Sequence, residues 1–127
     1  METVDIKKLQ EILSHHPVSQ AYLFGSHARG TAGPLSDIDI AVLYEPGVDV
    51  EKSESAVFAD LSKALQTDNI DIINIDTASP LLAQRAVLCG LPIIEQSPHK
   101  SAILKTKILH AYEDTRHLRE IKQAVFI

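Results

Sequence analysis

Two aspartates, Asp37 and Asp39, stand two positions apart at the beginning of an otherwise apolar stretch. Residues two apart on a β-strand project from the same face, so both carboxylates would leave one side of a predicted strand. Neighbouring carboxylates repel each other unless a cation lies between them. A pair of magnesium ions meets this need, because hard cations prefer oxygen ligands and keep open positions for phosphate groups. The two aspartates therefore predict metal-assisted phosphoryl chemistry.

A glycine and a serine, Gly25 and Ser26, end the strand that is predicted before the aspartates. Glycine lets the backbone approach closely and turn N–H groups toward a phosphate, and Ser26 adds a hydroxyl donor. The end of this strand meets the start of the next one if the two are antiparallel neighbours. Arg29 could bind a charged oxygen or pair with an acidic group, and His27 could contact a nucleotide or face solvent. The spacing does not choose between these roles.

The third candidate carboxylate is Asp71, near the start of a strand that is predicted after a helical crossover. A crossover of this length makes the two strands parallel, with a right-handed connection. Asp71 would then arrive beside Asp37 and Asp39, where it can hold a metal or favour deprotonation of an attacking hydroxyl. Asp68 and Asp76 compete for this role, but Asp68 precedes the strand and Asp76 lies at its far end. Asp71 is therefore the preferred third ligand.

Helical and strand patterns alternate around these residues. The order predicts an α/β (α+β) fold, in which a small mixed β-sheet is flanked by helices. We expect the strand at 70–75, rich in branched aliphatics, to be central, the strand at 91–95 to lie at an edge, and Gly90 to take the C′ position after a helix. The predicted elements are a helix from Val4 to before Pro17, strands at 18–24 and 37–44, a loop or a loop with a short helix at 25–36, a helix at 49–66, a strand at 70–75, a helix from Ser79-Pro80 to Gly90, a strand at 91–95 and a helix at 98–125.

Length and composition limit the class of protein. The 127 residues suit a single domain, 1–127, with a core over about 18–96 and a C-terminal helix over about 98–125. The net charge of −5 argues against direct binding of a nucleic-acid backbone. No apolar run is long enough for a membrane span, and residues 1–8 lack the apolar core of a signal peptide. We therefore expect a cytoplasmic protein without membrane contact.

The glycine–serine pair, the ten residues after it and the Asp-Ile-Asp run at 37–39 resemble a known signature. It is the GS-x10-DxD signature of the DNA polymerase beta-like nucleotidyltransferase superfamily. The fuller run Gly-Ser-His-Ala-Arg-Gly at 25–30, together with residues 36–42, resembles the minimal branch of that superfamily, the MNT proteins. The similarity continues at 71–75, 80–82 and 91–95 and so covers most of residues 18–96.

The predicted last helix resembles the tail of MNT antitoxins from HEPN–MNT toxin–antitoxin pairs. The resemblance implies a Mg²⁺-dependent nucleotidyltransferase with ATP as donor, and for the antitoxin branch it implies transfer of AMP to a tyrosine of the HEPN ribonuclease toxin. The three aspartates would then bind two metal ions, and Gly25, Ser26 and Arg29 would bind the nucleotide. The chain departs from the usual family pattern at His27, where a second basic residue such as arginine is common, and at Asn74, where an aspartate is common.

Two other functions stay open at this stage. The protein could neutralise its partner by stoichiometric binding alone, because a fold and a motif do not prove turnover. It could instead transfer a nucleotide to a small molecule such as an aminoglycoside. The apolar residues 124–127 could contact a partner or pack on the domain itself. The sequence does not identify the nucleotide base, the acceptor residue, the number of nucleotides transferred or the oligomeric state.

Overall fold

The computed structural model describes residues 5–33, 36–95 and 98–114. Its elements follow the predicted order, and the loop after the first strand contains a short helix. Val4 and the part of the predicted last helix beyond residue 114 lie outside the described residues. The elements are α1 (Ile6–Leu13), β1 (Val18–Phe24), α2 (Ser26–Arg29), β2 (Ile38–Tyr44), α3 (Val50–Leu65), β3 (Ile70–Asn74), α4 (Pro80–Cys89), β4 (Leu91–Glu95) and α5 (Pro98–Asp114).

The strands form one mixed sheet in the order β3-β2-β1-β4. β1 is antiparallel to both β2 and β4, whereas β2 and β3 are parallel, which confirms the strand directions predicted for the first three strands. The expectation that β3 is central is wrong, because β4 pairs with β1 and leaves β3 at an edge. The branched aliphatics of β3 reflect cover by helices rather than by strands: Ile70 is buried in one apolar cluster and Ile73 packs against another.

Side chains of β2 alternate between the two faces of the sheet. Ile38, Ile40 and Val42 pack in a cluster with residues of α1 and α3, on what we call the back face. Ala41 packs in a second cluster with residues of α4 and α5, on the front face. Asp39 is two residues from Ala41 and therefore projects from the front face. Helices on both faces of a mixed sheet confirm the predicted fold class.

Helix α4 brings the chain back toward the end of β1, where β4 begins opposite Leu23. The helix begins as predicted, since Ser79 accepts a hydrogen bond from the Leu82 backbone N–H at 3.3 Å and Pro80 lies in the first turn. The helix ends at Gly90 as predicted, although Gly90 is the C-cap rather than C′ and has an extended backbone with φ −83° and ψ 174°. A Cβ atom at Gly90 would lie 2.8 Å from the Leu23 carbonyl oxygen. The same Cβ atom would lie still closer to the Ala86 carbonyl oxygen of α4, so both the end of α4 and its approach to β1 require glycine here.

Helix α5 packs on α4 at the front face. Ile108 is buried in the front cluster and Leu104 packs against it. Ser101 is buried and donates a hydrogen bond to the Glu95 carboxylate, and Lys105 Nζ lies 3.7 Å from Glu95 Oε2. These contacts join the start of α5 to β4. Neither α5 nor another helix in the described ranges has both the length and the apolar character that a bilayer crossing requires.

Candidate active site

The register of three strands places two of the predicted carboxylates side by side. Phe24 of β1 lies opposite Asp39 of β2, and Asp39 lies opposite Asp71 of β3. Opposed residues of neighbouring strands project from the same face, and the strands are about 4.8 Å apart, so Asp39 and Asp71 are close neighbours on the front face. Asp39 is half-buried and Asp71 is exposed. The structure thus brings Asp71 to Asp39, as the parallel pairing predicted.

The competing aspartates occupy different places. Asp68 lies before β3 and contributes its carbonyl oxygen, which accepts a hydrogen bond from the Ile70 N–H at 2.8 Å. Asp76 lies beyond the other end of β3, where its N–H donates to Asn74 Oδ1 at 3.0 Å. Neither position is opposite Asp39 in the parallel register. Asp71 is the acidic residue of β3 that lies in that position.

Asp37 immediately precedes β2 and is exposed. The next residue, Ile38, donates its N–H to the Asn69 carbonyl oxygen at 2.8 Å, which ties the start of β2 to the segment before Asp71. Asp37 lies two residues before Asp39 and so belongs to the same side of the strand. All three aspartates therefore gather where β1 ends and where β2 and β3 begin. We call this the aspartate end of the sheet.

Gly25 is in close contact with the Asp39 carboxylate. Its φ is 74°, a left-handed value that side chains other than glycine rarely adopt. A Cβ atom at Gly25 would lie 3.2 Å from Asp39 Cγ and closer still to one of the carboxylate oxygens. Both the backbone conformation and the lack of space therefore require glycine, as the motif predicted for a close approach of the backbone.

The short helix α2 contains the other two predicted nucleotide-binding residues. Ser26 is its first residue, and its carbonyl oxygen accepts a hydrogen bond from the Thr31 N–H at 3.0 Å. Arg29 is its last residue, and Gly30 ends the helix in a left-handed conformation with φ 72°. The Arg29 side chain is exposed, which leaves its guanidinium accessible to a ligand. Ser26 and Arg29 thus lie on the same side of the aspartates as Gly25.

The pKa of Asp39 is raised above the ordinary value of an aspartate. Burial is the largest cause, because it disfavours the charged form, and the negative charges of Asp71 and then Asp37 add to it. The positive charge of Arg29, and that of His27 when its ring carries a second proton, act in the opposite direction without cancelling the effect. The site therefore concentrates negative charge, and binding of a cation would relieve the repulsion.

The donor chemistry at the aspartate end suits a hard cation, since three carboxylates supply only oxygen atoms. Within the described part of the chain, however, no three His, Cys, Asp or Glu side chains are grouped so that they could hold a metal ion. The aspartates lie near enough to affect one another's charge but do not close around a single point. Bound metal would have to draw the carboxylates together by side-chain rotation.

Three residues that support the site are His27, Ser36 and Asn69. The sequence assigned no role to Ser36 and Asn69 and left the role of His27 open. His27 Nε2 lies 3.3 Å from the Ser36 carbonyl oxygen, and Ser36 Oγ accepts a hydrogen bond from the Gly33 N–H at 2.9 Å. Asn69 contributes only its backbone oxygen, which any residue could provide, so no pattern could reveal it. The position of Ser36 just before an aspartate was its one signal, and for His27 the signal was the departure from the family pattern.

A family model described as "Polymerase beta, Nucleotidyltransferase" matches residues 7–99. That range includes the whole sheet and every residue predicted to bind metal or nucleotide. The chain belongs to the polymerase beta nucleotidyltransferase family. Membership accounts for the mixed sheet with helices on both faces, and it confirms the resemblance drawn from the glycine–serine and Asp-Ile-Asp motifs.

Relatives within this fold are toxin–antitoxin proteins. Protein adenylyltransferase MntA of Shewanella oneidensis is 33% identical over 105 residues, which cover 82% of this chain and 70% of that protein. A crystal structure of a toxin–antitoxin with AMP-PNP has a TM-score of 0.77 at 28% identity, over 96% of this chain and 95% of the matched chain. A complex of tri-AMPylated S. oneidensis HEPN toxin with MNT antitoxin has a TM-score of 0.68 at 26% identity, over 94% and 91%. The similarity to MNT antitoxins is thereby confirmed.

Proposed function

We propose that this chain is a Mg²⁺-dependent protein adenylyltransferase that acts as an antitoxin. It transfers AMP from ATP to a tyrosine hydroxyl of a HEPN-type ribonuclease toxin. The observation that carries the proposal is that Asp39 and Asp71 lie side by side on neighbouring strands and that Gly25 contacts Asp39. The chain that contains them is a nucleotidyltransferase similar to MntA. Structural relatives that contain AMP-PNP or an AMPylated HEPN toxin support ATP as the donor and such a toxin as the acceptor.

In the proposed reaction, the acceptor hydroxyl oxygen attacks the α-phosphorus of ATP. A new O–P bond forms, the bond from the α-phosphorus to the α–β bridging oxygen breaks, and pyrophosphate leaves with that electron pair. Asp71 takes up the hydroxyl proton and releases it to solvent, to which its side chain is exposed. The rest of catalysis is orientation of the reactants and neutralisation of phosphate charge.

Asp37, Asp39 and Asp71 are the residues that would hold two Mg²⁺ ions. Bound there, the ions would neutralise the triphosphate and lower the pKa of the attacking hydroxyl. The grouping of Asp39 with Asp71 and Asp37 supports this assignment: burial first, and then the negative charges of these two neighbours, raise the pKa of Asp39, and a bound cation would relieve the repulsion. An all-oxygen donor set also favours Mg²⁺ over softer metals.

Gly25 and Ser26 would hold the triphosphate at the aspartate end. Gly25 presents backbone next to the Asp39 carboxylate, where a side chain would block the approach of phosphate. Ser26 offers a hydroxyl donor, and the exposed Arg29 offers a guanidinium that matches the geometry of phosphate oxygens. This arrangement supports binding of a nucleoside triphosphate rather than of a bare metal ion.

The proposal extends to the organisation and location of the protein. We propose that residues 1–127 form one nucleotidyltransferase domain. The family model matches residues 7–99, and within the described ranges α5 packs against α4 in the front cluster. The net charge of −5 supports a protein acceptor over a nucleic-acid acceptor. The donor and a ribonuclease toxin would meet in the cytoplasm, which is where we place the reaction.

The intact mass of the toxin partner tests the proposal. The partner is co-expressed with the unmodified chain or with Asp39→Asn, and its mass is then measured. We expect additions of whole AMP residues with the unmodified chain and none with Asp39→Asn, because the amide cannot replace a metal-binding carboxylate. Fragmentation of the modified protein would locate the acceptor, which we expect to be a tyrosine.

Two outcomes would contradict adenylyl transfer. If both forms bind the toxin and its mass never changes, the chain acts by stoichiometric binding, which its relatives in toxin–antitoxin complexes also support. If Asp39→Asn modifies the toxin as well as the unmodified chain does, the metal assignment is wrong. Co-purification of the two proteins in each case shows whether the variant is still folded and able to bind.

A further inference from the structure

His27 connects the short helix α2 to the residue that precedes the first aspartate. Its Nε2 atom lies 3.3 Å from the Ser36 carbonyl oxygen, a long but favourable separation. A carbonyl oxygen can only accept, so Nε2 must carry the hydrogen. The other ring nitrogen, Nδ1, is buried and has no hydrogen-bond partner among the described residues. A hydrogen on Nδ1 would be an unpaired buried donor, so the geometry selects the neutral Nε2–H tautomer.

Ser36 is held by two other hydrogen bonds besides the one from His27. Its backbone N–H donates to the Gly33 carbonyl oxygen at 3.2 Å, and its Oγ accepts from the Gly33 N–H at 2.9 Å. These two bonds fix Ser36 relative to Gly33, but both lie within the same loop. The His27 contact joins Ser36 to α2, and α2 follows directly on Gly25.

A further backbone hydrogen bond connects the start of β2 to the segment before Asp71. Ile38 donates its N–H to the Asn69 carbonyl oxygen at 2.8 Å, two residues before Asp71. Asp37 therefore lies between two backbone anchors, the Ser36 carbonyl on one side and the Ile38 N–H on the other. The second anchor belongs to the sheet and is rigid. The first depends on a side chain, that of His27.

We propose that His27 is a positioning residue, which sets the placement of Asp37 relative to the glycine–serine loop through its hydrogen bond to Ser36. The proposal rests on the proposed function, since it assigns His27 a part in the same site. It differs from a direct nucleotide contact, because Nε2 donates to the Ser36 backbone carbonyl oxygen and Nδ1 is buried. The consequence is a specific requirement for a donor at the position of Nε2.

Two replacements separate a donor requirement from loss of the ring. In His27→Gln, the amide N–H can reach the position of Nε2 and donate to Ser36, whereas His27→Phe keeps a ring of similar size without a donor. We expect His27→Phe to lower kcat for AMP transfer about tenfold, as is typical for the loss of a group that orients a metal ligand. His27→Gln should stay within about threefold of the unmodified chain, and KM for ATP should change by less than about twofold in both.

His16 provides the matched control. Its Nε2 lies 2.7 Å from Asp60 Oδ2, so His16→Phe also removes a histidine hydrogen bond, but one that joins the α1–β1 turn to α3. We expect His16→Phe to leave kcat unchanged at temperatures well below its Tm. Equal losses of kcat in His27→Gln and His27→Phe would overturn the positioning role, as would an unchanged kcat in His27→Phe. A raised KM for ATP with unchanged kcat would instead assign His27 to direct nucleotide binding.

Two readouts do not depend on turnover. Binding of Mn²⁺ in the presence of α,β-methylene-ATP, followed by electron paramagnetic resonance, should weaken about tenfold in His27→Phe and little in His27→Gln. Nitrogen-15 NMR of the ring should show the Nε2–H tautomer at His27, and an Nδ1–H tautomer would contradict the proposal. If the unmodified chain transfers no AMP, the proposed function fails, while these two measurements still decide the role of His27.

Discussion

The two ends of the β-sheet contain similar residue types but arrange them differently. The aspartate end has a left-handed glycine, Gly25, next to Asp39 and Asp71, and the far end has the left-handed Gly47 and the acidic Asp76. At the aspartate end, the register aligns two carboxylates in one row, and the glycine contacts one of them. At the far end, a Cβ atom at Gly47 would have no atom of the described residues within 4 Å apart from those of its chain neighbours. Composition alone therefore does not distinguish the two ends; pairing does.

The charges at the two ends also differ in arrangement. The far end borders a cavity of about 500 Å³ whose lining includes Lys100 and Lys107 together with Glu45 and Asp76. Charges of both signs line this cavity, so neither sign is concentrated there. At the aspartate end, burial and then the like charges of Asp71 and Asp37 raise the pKa of Asp39. A concentration of like charge weakens a fold unless a ligand relieves it, which is why this end is the candidate for function.

The largest expected effect is on the rate of AMP transfer, and it should differ between aspartates at the two ends of β3. Asp71→Asn should lower AMP transfer by at least about 100-fold, because it removes a metal ligand and the acceptor of the hydroxyl proton. Asp76→Asn changes an aspartate beyond the opposite end of the strand and should leave the rate within about twofold. Initial rates of toxin modification at saturating ATP measure both. A comparable loss in Asp76→Asn, or none in Asp71→Asn, would remove the distinction between the ends.

The two left-handed glycines provide the next comparison. Gly25→Ala and Gly47→Ala both place a side chain at positive φ, which should destabilise each variant by about 1 kcal/mol. Gly25→Ala also forces a Cβ against the Asp39 carboxylate, so AMP transfer should fall at least about tenfold, whereas Gly47→Ala should keep full activity. Urea unfolding measures the stability and initial rates measure the transfer. Equal activities in the two variants would show that the close approach of Gly25 is not needed.

A smaller effect concerns the far end and alkaline pH. Tyr44 is buried, and burial followed by the charge of Glu54 raises its pKa to about 12. A pKa raised by folding contributes stability that is complete below the unfolded value of 10.0 and is lost as the pH approaches about 12. We expect the unmodified chain to lose on the order of 1 kcal/mol more than Tyr44→Phe across this window. Urea unfolding at pH 10.0 and at about pH 12 measures this difference in the free energy of unfolding. Tyr22, whose pKa is also raised, is present in the unmodified chain and in Tyr44→Phe, so its effect cancels in the comparison.

The smallest expected effect is a gain in stability at the aspartate end. The raised pKa of Asp39 means that its ionised form weakens the metal-free fold at neutral pH. Asp39→Asn should therefore raise Tm at pH 7 by roughly 2 °C, a modest value because the site is open to solvent. The gain should disappear below the ordinary aspartate pKa of 3.8, where Asp39 is protonated. A lower Tm for the variant at pH 7 would show that the carboxylate has a favourable partner in the fold.

Much of the aspartate end was predictable because the relevant rules are local. Residues two apart on a strand share a face, so Asp37 and Asp39 could be paired from spacing alone. A helix between two strands favours a parallel pairing, which put Asp71 beside them. The glycine in Gly25-Ser26 indicated a close backbone approach. Each inference needed only the residue types and the distances along the chain.

Other features were predicted wrongly or not at all, because they depend on which distant segments meet. The aliphatic composition of β3 shows that its faces are covered, but it does not show how many strands flank it. Gly90 ends a helix as predicted, but its close approach to the Leu23 carbonyl oxygen of β1 had no signal in the sequence. The contact of His27 with Ser36 had no sequence signal, since a histidine in a loop most often faces solvent.

The sequence alone was enough to predict the alternation of β2, the family and a set of candidate site residues. Those properties depend on side-chain periodicity and on motif spacing, which are properties of a linear chain. Only the tertiary structure decided the strand order, the contact of Gly25 with Asp39 and the direction of the Asp39 pKa shift. Each of these depends on distances through space between segments far apart in the chain, and burial and charge act over those distances.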